Sequence, residues 1–292
     1  MDFGKLASAA LDKVDFKLAP LQIPAFTPSL DQPPRLRIGY TGWAVKEWVQ
    51  MGYYPVHAHE QYLYYYAELF DGIELNTTHY RIPDAKTVEF WCESTTQNPN
   101  FRFSPKILQA ISHSDNLDTT HETLKKFINA VQGLGASLGT SFIQFPPHFG
   151  FKRLPELARL LEICAAEGFK ISVEIRNAAW LANPEQLKAY FETLTQYGAG
   201  TVLTDVAGRR DMLHQTLTNT TLMLRWVGNG LHPSDATRLA DWRQLLIQHA
   251  GSGIQDIYVF LHQPNPMHLP ACVECFSPRR KLVPKYGQTG LW

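Results

Sequence analysis

The chain has 292 residues, 45% of them hydrophobic, with 27 basic and 27 acidic side chains and therefore no formal net charge. That length supports the core of one large α/β domain or of two ordinary ones. The balanced charge excludes a global field for nucleic acid or an anionic membrane, so any such binding has to come from a local patch.

No run of 18 apolar residues occurs, and the opening MDFGKLASAALDKVDFKL lacks the apolar stretch of a signal peptide. The expected location is the cytoplasm, with no membrane partner. Cys92, Cys164, Cys272 and Cys275 are too sparse for a stapled secreted domain, in keeping with a reducing compartment.

Residues 1–34 carry Pro20, Pro24, Pro28, Pro33 and Pro34, which forbid a long helix and predict an extended leader over the domain surface. From Arg35 onward, short runs rich in β-branched or aromatic residues give eight strand candidates. They are RLRIGYTGW, FDGIELNTT, FRFSPKI, SFIQFPP, KISVEIRN, GTVLTDV, TLMLRWVG and IQDIYVFLH.

Helical spacing appears between them, at Leu63, Tyr66, Ala67 and Phe70, and at Leu124, Phe127, Ile128 and Val131, with a capping box expected at Thr119 and Glu122. Leu157, Leu160, Leu161 and Cys164 repeat it between Pro155 and Gly168. The best delimited helix is NPEQLKAYFETLTQYG, with Asn183 as cap, Pro184 at the first position, a stripe of Leu187, Tyr190, Phe191 and Leu194, and Gly198 as the stop. Further helices are expected at 85–97, 234–250 and 266–276, whereas GRRDMLHQTLTNT shows little periodicity. Trp91, Trp180 and Trp242 belong to helix or loop packing.

Strands that alternate with helices pair in parallel, and eight such units in this length predict one (β/α)₈ TIM-type barrel over residues 35–276. An open doubly wound sheet would carry a Gly-rich fingerprint after its first strand, and GYTGWAVKEW has neither G-x-G-x-x-G nor a P-loop.

In a barrel the site lies at the carboxyl ends of the strands. Strand alternation puts Glu74 and Asn76 on one face of their strand and Ile73 and Leu75 on the other. The same rule turns Lys106, Gln144, Glu174, Arg176, Asp205, Arg225 and His262 inward, with Phe103, Ile143, Leu224, Val259 and Leu261 outward. Ions gathered away from water cost several kcal/mol each unless paired, so stability alone does not account for the set.

Lys106, Arg176 and Arg225 suit a phosphate or carboxylate. Glu74, Glu174 and Asp205 are candidate proton carriers, joined in the catalytic set by His262. Gly228 and Gly230, in VGNGLHPSD ahead of a helix, are expected to add an anion-binding turn. No residue is assigned to a metal. His268, Cys272 and Cys275 have the spacing H-x₃-C-x₂-C without a second C-x-x-C and fit one buried helix face. No flavin, nicotinamide or PLP signature appears, and the cofactor is left open.

The runs IGYTGWAVKEW, YYAELFDGIELNTTHYRIP, FRFSPKILQAISH, IQFPPHFGF, ISVEIRNAAW, LRWVGNG and VFLHQP resemble the bacterial YecE-like family, domain of unknown function 72, over residues 36–276. The resemblance implies a TIM barrel of unestablished activity. It also implies a cluster that adds Trp43, Thr77, Tyr80, His113 and Pro146 to Glu74, Asn76, Lys106, Gln144, Glu174, Arg176, Asp205, Arg225 and His262. Of these, Trp43, Asn76, Tyr80, Lys106, His113, Gln144, Arg176 and Arg225 are expected at the substrate with Gly228 and Gly230.

Two functions follow as expectations. One is an enzyme, of hydrolase or lyase type, using acid/base chemistry on a small anionic substrate or a nucleic-acid end. The other is a noncatalytic nucleic-acid module in which Arg209, Arg210, Arg279, Arg280 and Lys281 meet phosphates and Trp43, Tyr53, Tyr54 and Tyr80 stack bases. A basic, flexible tail over 277–292 ends in Gln288, Leu291 and Trp292, which resembles a sliding-clamp-binding peptide, and the two alternatives are docking on a sliding clamp as partner and folding of Trp292 back over the barrel's own surface.

Overall fold

A computed structural model describes residues 4–24 and 33–286. Among these, eight strands alternate with helices in the expected order. They are β1 (Arg35–Tyr40), β2 (Gly72–Leu75), β3 (Arg102–Pro105), β4 (Ser141–Gln144), β5 (Ile171–Glu174), β6 (Gly200–Asp205), β7 (Thr221–Val227) and β8 (Asp256–His262).

Every pairing is parallel and the sheet order is β3-β2-β1-β8-β7-β6-β5-β4. The two ends of that order are joined by isolated bridges, Phe103 to Leu138 and Lys106 to Phe142, with Ile107 N–H donating to the Phe142 carbonyl at 2.8 Å. The sheet is thus a nearly closed barrel. Gly39 is required where β1 meets β2, because a Cβ there would lie 2.1 Å from the Gly72 carbonyl oxygen.

The helices are α1 (Ser8–Leu11), α2 (Glu47–Gln50), α3 (Tyr62–Leu69), α4 (Ala85–Glu93), α5 (Gln109–Ser112), α6 (His121–Gln132), α7 (Leu154–Ala166), α8 (Ala178–Ala182), α9 (Pro184–Gln196), α10 (Pro233–Gln248) and α11 (Leu269–Phe276). Asn183 caps α9 by accepting from the N–H groups of Glu185 and Gln186, and Gly198 ends the segment at φ 66°.

The capping box expected before α6 is not formed. Its N-cap is Thr120, which makes no side-chain cap bond, and Asn116 instead caps the preceding turn at Asp118. GRRDM folds as a 3₁₀ segment over Ala207–Met212.

The outward strand residues Phe103, Ile143, Leu224, Val259 and Leu261 join the helices in one large apolar core. Inside the barrel, Phe142, Val202, Met223, Tyr258 and Phe260 form a second, small cluster. That plug packs the middle of the barrel and lies below the charged layer at the carboxyl ends of the strands. No helix among the described residues is long and apolar enough to cross a membrane.

The described residues that flank the barrel on either side in sequence pack on it. The residues at 4–24 include α1 and an isolated bridge from Gln22 to Thr216, while Pro28 lies outside the described residues. The segment 277–286, expected as a flexible tail, is docked through buried Leu282, an Arg280–Asp71 ion pair and Tyr286 edge-on to Tyr65. Gln288, Leu291 and Trp292 lie outside the described residues.

Candidate active site

Six strands carry a connected set of polar side chains to the carboxyl end of the barrel, or just past it. From β7, Arg225 donates Nε to Glu74 Oε2 at 2.8 Å and Nη2 to Glu74 Oε1 at 2.9 Å, and its Nη1 reaches Glu174 Oε2 at 2.7 Å. Glu174 also accepts from Gln144 Nε2 at 2.9 Å and Arg176 Nε at 2.9 Å. Gln144 Oε1 in turn accepts from Lys106 Nζ at 3.0 Å.

On the opposite side, Glu74 accepts from Asn76 Nδ2 at 3.0 Å and lies 2.9 Å from His262 Nε2. Eight side chains expected together from alternation are therefore one network.

Its charges follow from burial set against pairing. Burial alone would raise the Glu74 carboxyl, but Arg225 and His262 outweigh it and hold the group well below the ordinary carboxylate range. Glu174 is likewise pushed up by burial and pulled down further by Arg225 and Arg176, to about 2. Burial works against the Arg225 charge, and the two acids more than restore it. Burial and then Arg225 lower Lys106 to about 8, against the pull of Glu74 and Glu174.

Both acids are thus ionised and fully engaged, which suits orienting and charge-balancing better than proton release. Ionised Glu74 can only accept, so the His262 Nε2 carries the hydrogen and Nδ1 is left as the basic nitrogen. Three cations, Lys106, Arg176 and Arg225, stand against two carboxylates. Lys106 makes no ion pair among the described residues, its hydrogen bond going to the neutral Gln144.

A cavity of about 490 Å³ adjoins one side of the network, where Asn76 and His262 line it together with Tyr40, Thr41, Gly228 and Gln263. Its far wall comes from Gly4, Lys5, Leu6, Ser8 and Leu11.

Asp205 is the main correction to the expected site. On β6 it is Val202 and Thr204 that share the inner parity, Val202 lying in the interior cluster, so Asp205 points outward. Its carboxylate accepts from Arg238 Nη2 at 2.7 Å and Trp242 Nε1 at 2.6 Å, both on α10, and pairs with Arg210.

The glycine turn after β7 is a second correction. Its amides are already taken: Asn229 N–H and Leu231 N–H donate to the Asp235 carboxylate at 2.8 and 3.1 Å, Gly230 N–H to Gln263 Oε1 at 3.0 Å, and Gly228 N–H to the His262 carbonyl at 2.7 Å. A built-in carboxylate occupies the place of the expected anion.

Trp43 packs edge-on to Trp91 at 6.3 Å and joins the outer core. Tyr80 is exposed and borders a separate depression with His79 and His113. Burial and then Lys106 lower the His113 imidazole, and Ser112 Oγ lies 2.8 Å from its Nδ1. Thr77 is exposed and Pro146 buried, the carbonyl of Pro146 accepting from Phe149 N–H at 3.0 Å.

Of the residues expected on a nucleic-acid face, Tyr53 and Tyr54 are buried, Arg210 is held by Asp205 and Arg280 by Asp71. Cys272 accepts from Gln263 Nε2 at 3.0 Å inside the α11 packing.

The sequence did not single out Asp235, Gln263, His79 or residues 4–11. Gln263 had a signal, since it follows His262 directly. His79 also had one, in the run N-T-T-H; its buried Nδ1 lies 2.7 Å from the Ile107 carbonyl, and burial, ahead of Lys106 and His113, lowers the group to about 4.

The chain is 28% identical over 269 residues to the UPF0759 protein YecE of Escherichia coli (strain K12), covering 86% of this chain and 94% of that one. A crystal structure of a DUF72 family protein from Enterococcus faecalis V583 superposes with a TM-score of 0.65 at 18% identity, over 85% of this chain and 98% of that one. A sugar phosphate isomerase/epimerase from Parabacteroides distasonis ATCC 8503 shares the fold at a TM-score of 0.53 and 12% identity, over 88% of this chain and 100% of that one. The model of the protein family of unknown function DUF72 matches residues 37–281, and the chain belongs to that family.

Proposed function

We propose that this protein is an enzyme that holds the phosphate or carboxylate of a small molecule against Lys106 and Arg176 and moves a proton at His262. The observation that carries this reading is the pair of Glu74 and His262, 2.9 Å apart, opening on the cavity while Arg225 fixes Glu74 from below.

A carboxylate behind an imidazole fixes its tautomer, orients the ring and stabilises the imidazolium that forms when the other nitrogen takes a proton. Asn76, bonded to the same carboxylate, restrains it from the side. On the far side of the network, Arg176 is its most accessible cation, with 14% side-chain exposure. The positive excess there favours an anion, which a guanidinium and an ammonium attract by charge. Lys106, at about 8, holds a proton that it can exchange near neutral pH.

This arrangement fits proton abstraction or return beside an anionic group, the chemistry of isomerases and lyases, and shifts the proton carrier from the two glutamates to His262 and Lys106. The cytoplasm is the proposed setting, supported by four cysteines that are all free thiols.

Because a barrel of this fold from Parabacteroides distasonis acts in sugar phosphate isomerisation or epimerisation by name, phosphorylated sugars form the first panel, followed by hydroxy and keto acids. Each is incubated with the protein in deuterium oxide and examined by NMR for exchange of carbon-bound hydrogen. Exchange by the wild type that His262→Gln abolishes supports the proposal. If no compound stabilises the wild type thermally and none exchanges, the network is structural and the proposal fails.

A further inference from the structure

Asp205 and the segment 4–22 have no part in the chemistry just described, and they are connected. The segment runs along the β6–β7 side of the mouth. Gly208 N–H donates to the Gly4 carbonyl at 2.9 Å, Leu11 and Leu21 are buried, and Gln22 exchanges backbone bonds with Gln215 and Leu217 at 2.8 and 2.9 Å.

Midway, the ring of Phe16 lies 5.0 Å from the Arg238 guanidinium and 5.6 Å from that of Arg210, whose Nη2 also donates to the Phe16 carbonyl at 3.2 Å. Both arginines are held by Asp205. The buried acid therefore fixes two cations in the orientation that clasps Phe16. Upstream of that clasp, Gly4, Lys5, Leu6, Ser8 and Leu11 face the cavity across from Asn76 and His262. All of these upstream residues precede the family match at 37–281.

We propose that residues 4–11 form a wall of the ligand site that this chain adds to the family barrel, with Asp205 as its positioning residue, so that the site accepts a small free anion and refuses the end of a polymer. The wall brings Lys5 to the mouth as a further cation and turns an open barrel end into a partly enclosed cleft, about 490 Å³, of the size that takes one small molecule. The ligand class rests on the function proposed above.

Gly208 permits a selective test. A Cβ at that position would lie 2.7 Å from the Gly4 carbonyl oxygen and 3.1 Å from both the Gly4 carbonyl carbon and Leu6 Cδ2, so its nearest neighbours all belong to the wall. Gly208→Val thus displaces the wall and leaves the barrel intact, and Phe16→Ala loosens the same segment from its other end.

Glucose 6-phosphate and a short 5′-phosphorylated oligonucleotide are titrated against wild type and both variants. The wild type should bind the sugar phosphate and not the oligonucleotide. Both variants should lose about threefold or more in affinity for the first and gain the second. Wild type and variants that treat both probes alike would overturn the wall while leaving the anion site standing.

Should the wild type bind neither probe, glucose 6-phosphate is not the anion this site takes, and the wall is judged by a readout that needs no ligand. In a Thr41→Cys background, modification by a bulky maleimide is followed by peptide mass spectrometry. Gly208→Val should accelerate labelling at position 41 about tenfold, with little change for a small methanethiosulfonate. Equal maleimide rates overturn the proposal.

Discussion

Arg225 grips Glu74 at two points, Nε to Oε2 at 2.8 Å and Nη2 to Oε1 at 2.9 Å, with both side chains at or below 1% exposure. Removing one member of such a pair strands a buried charge. Arg225→Met should cost about 3–5 kcal/mol in denaturant unfolding. Arg225→Lys should recover only part of that, because an ammonium lacks the planar fork that meets two oxygens of one acid and one of another. A loss below about 1 kcal/mol for Arg225→Met would contradict the fully engaged network.

Lys106 gives a pH signature. Its pKa is lowered on folding, from 10.5 to about 8. The unfolded chain therefore binds the extra proton between those values, and stability rises with pH across that window. Lys106→Met should be more stable than wild type below pH 8, and the gap should close between pH 8 and 10.5. Thermal melts at matched ionic strength check it.

Glu174 gives the opposite limb. Its pKa is lowered on folding, from 4.5 to about 2, so the stability it supplies is present above 4.5 and fades as pH falls towards 2. The difference in unfolding free energy between wild type and Glu174→Gln should shrink steadily over that interval. A difference that stays constant from pH 5 down to the acid transition would show that the carboxylate charge is not what the network uses.

The turn after β7 is closed by its own acid. Asp235→Ala removes the acceptor of the Asn229 and Leu231 amides. We expect a loss of about 1–3 kcal/mol for the freed amides, and thermal stabilisation by added sulfate that exceeds the wild-type response, since an oxyanion can take the vacated place. Melting curves with and without sulfate decide it.

Helix α9 supplies a control remote from the site. Asn183→Ala should lower stability by about 1 kcal/mol by freeing the amides of Glu185 and Gln186. It should leave ligand binding unchanged. Calorimetry and the sugar phosphate titration measure the two halves of that expectation.

The barrel was legible because most strand runs alternate an apolar outer face with a distinct inner one, and because Asn183, Pro184 and Gly198 punctuate their helix without ambiguity. The network from Glu74 to His262 could be read for the same reason.

Asp205 could not, because β6 is apolar or hydroxylated on both faces. Val202 with Thr204 and Leu203 with Asp205 are equally plausible inner sets until α10 brings Arg238 and Trp242 against one of them. The glycine turn was misjudged because a Gly-rich stretch that binds an anion and one that wraps a carboxylate from the following helix have the same composition. Residues 4–11 have too little hydrophobic pattern to reveal where they dock, and their partners lie about two hundred residues away in sequence.

The junction of β3 and β4 has a consequence for how the molecule breathes. Two isolated bridges hold it where the other neighbours share continuous ladders, and Lys106 takes part twice, through its backbone in the bridge to Phe142 and through its ammonium to Gln144. Local opening should therefore begin along this line. Water admitted there reaches the one cation of the network whose charge changes near neutral pH. Amide exchange in residues 102–107 and 138–144 should consequently slow as Lys106 gives up its proton, once the intrinsic chemical dependence on pH is divided out. Through that seam, the acidity of the medium should set how often this side of the barrel opens.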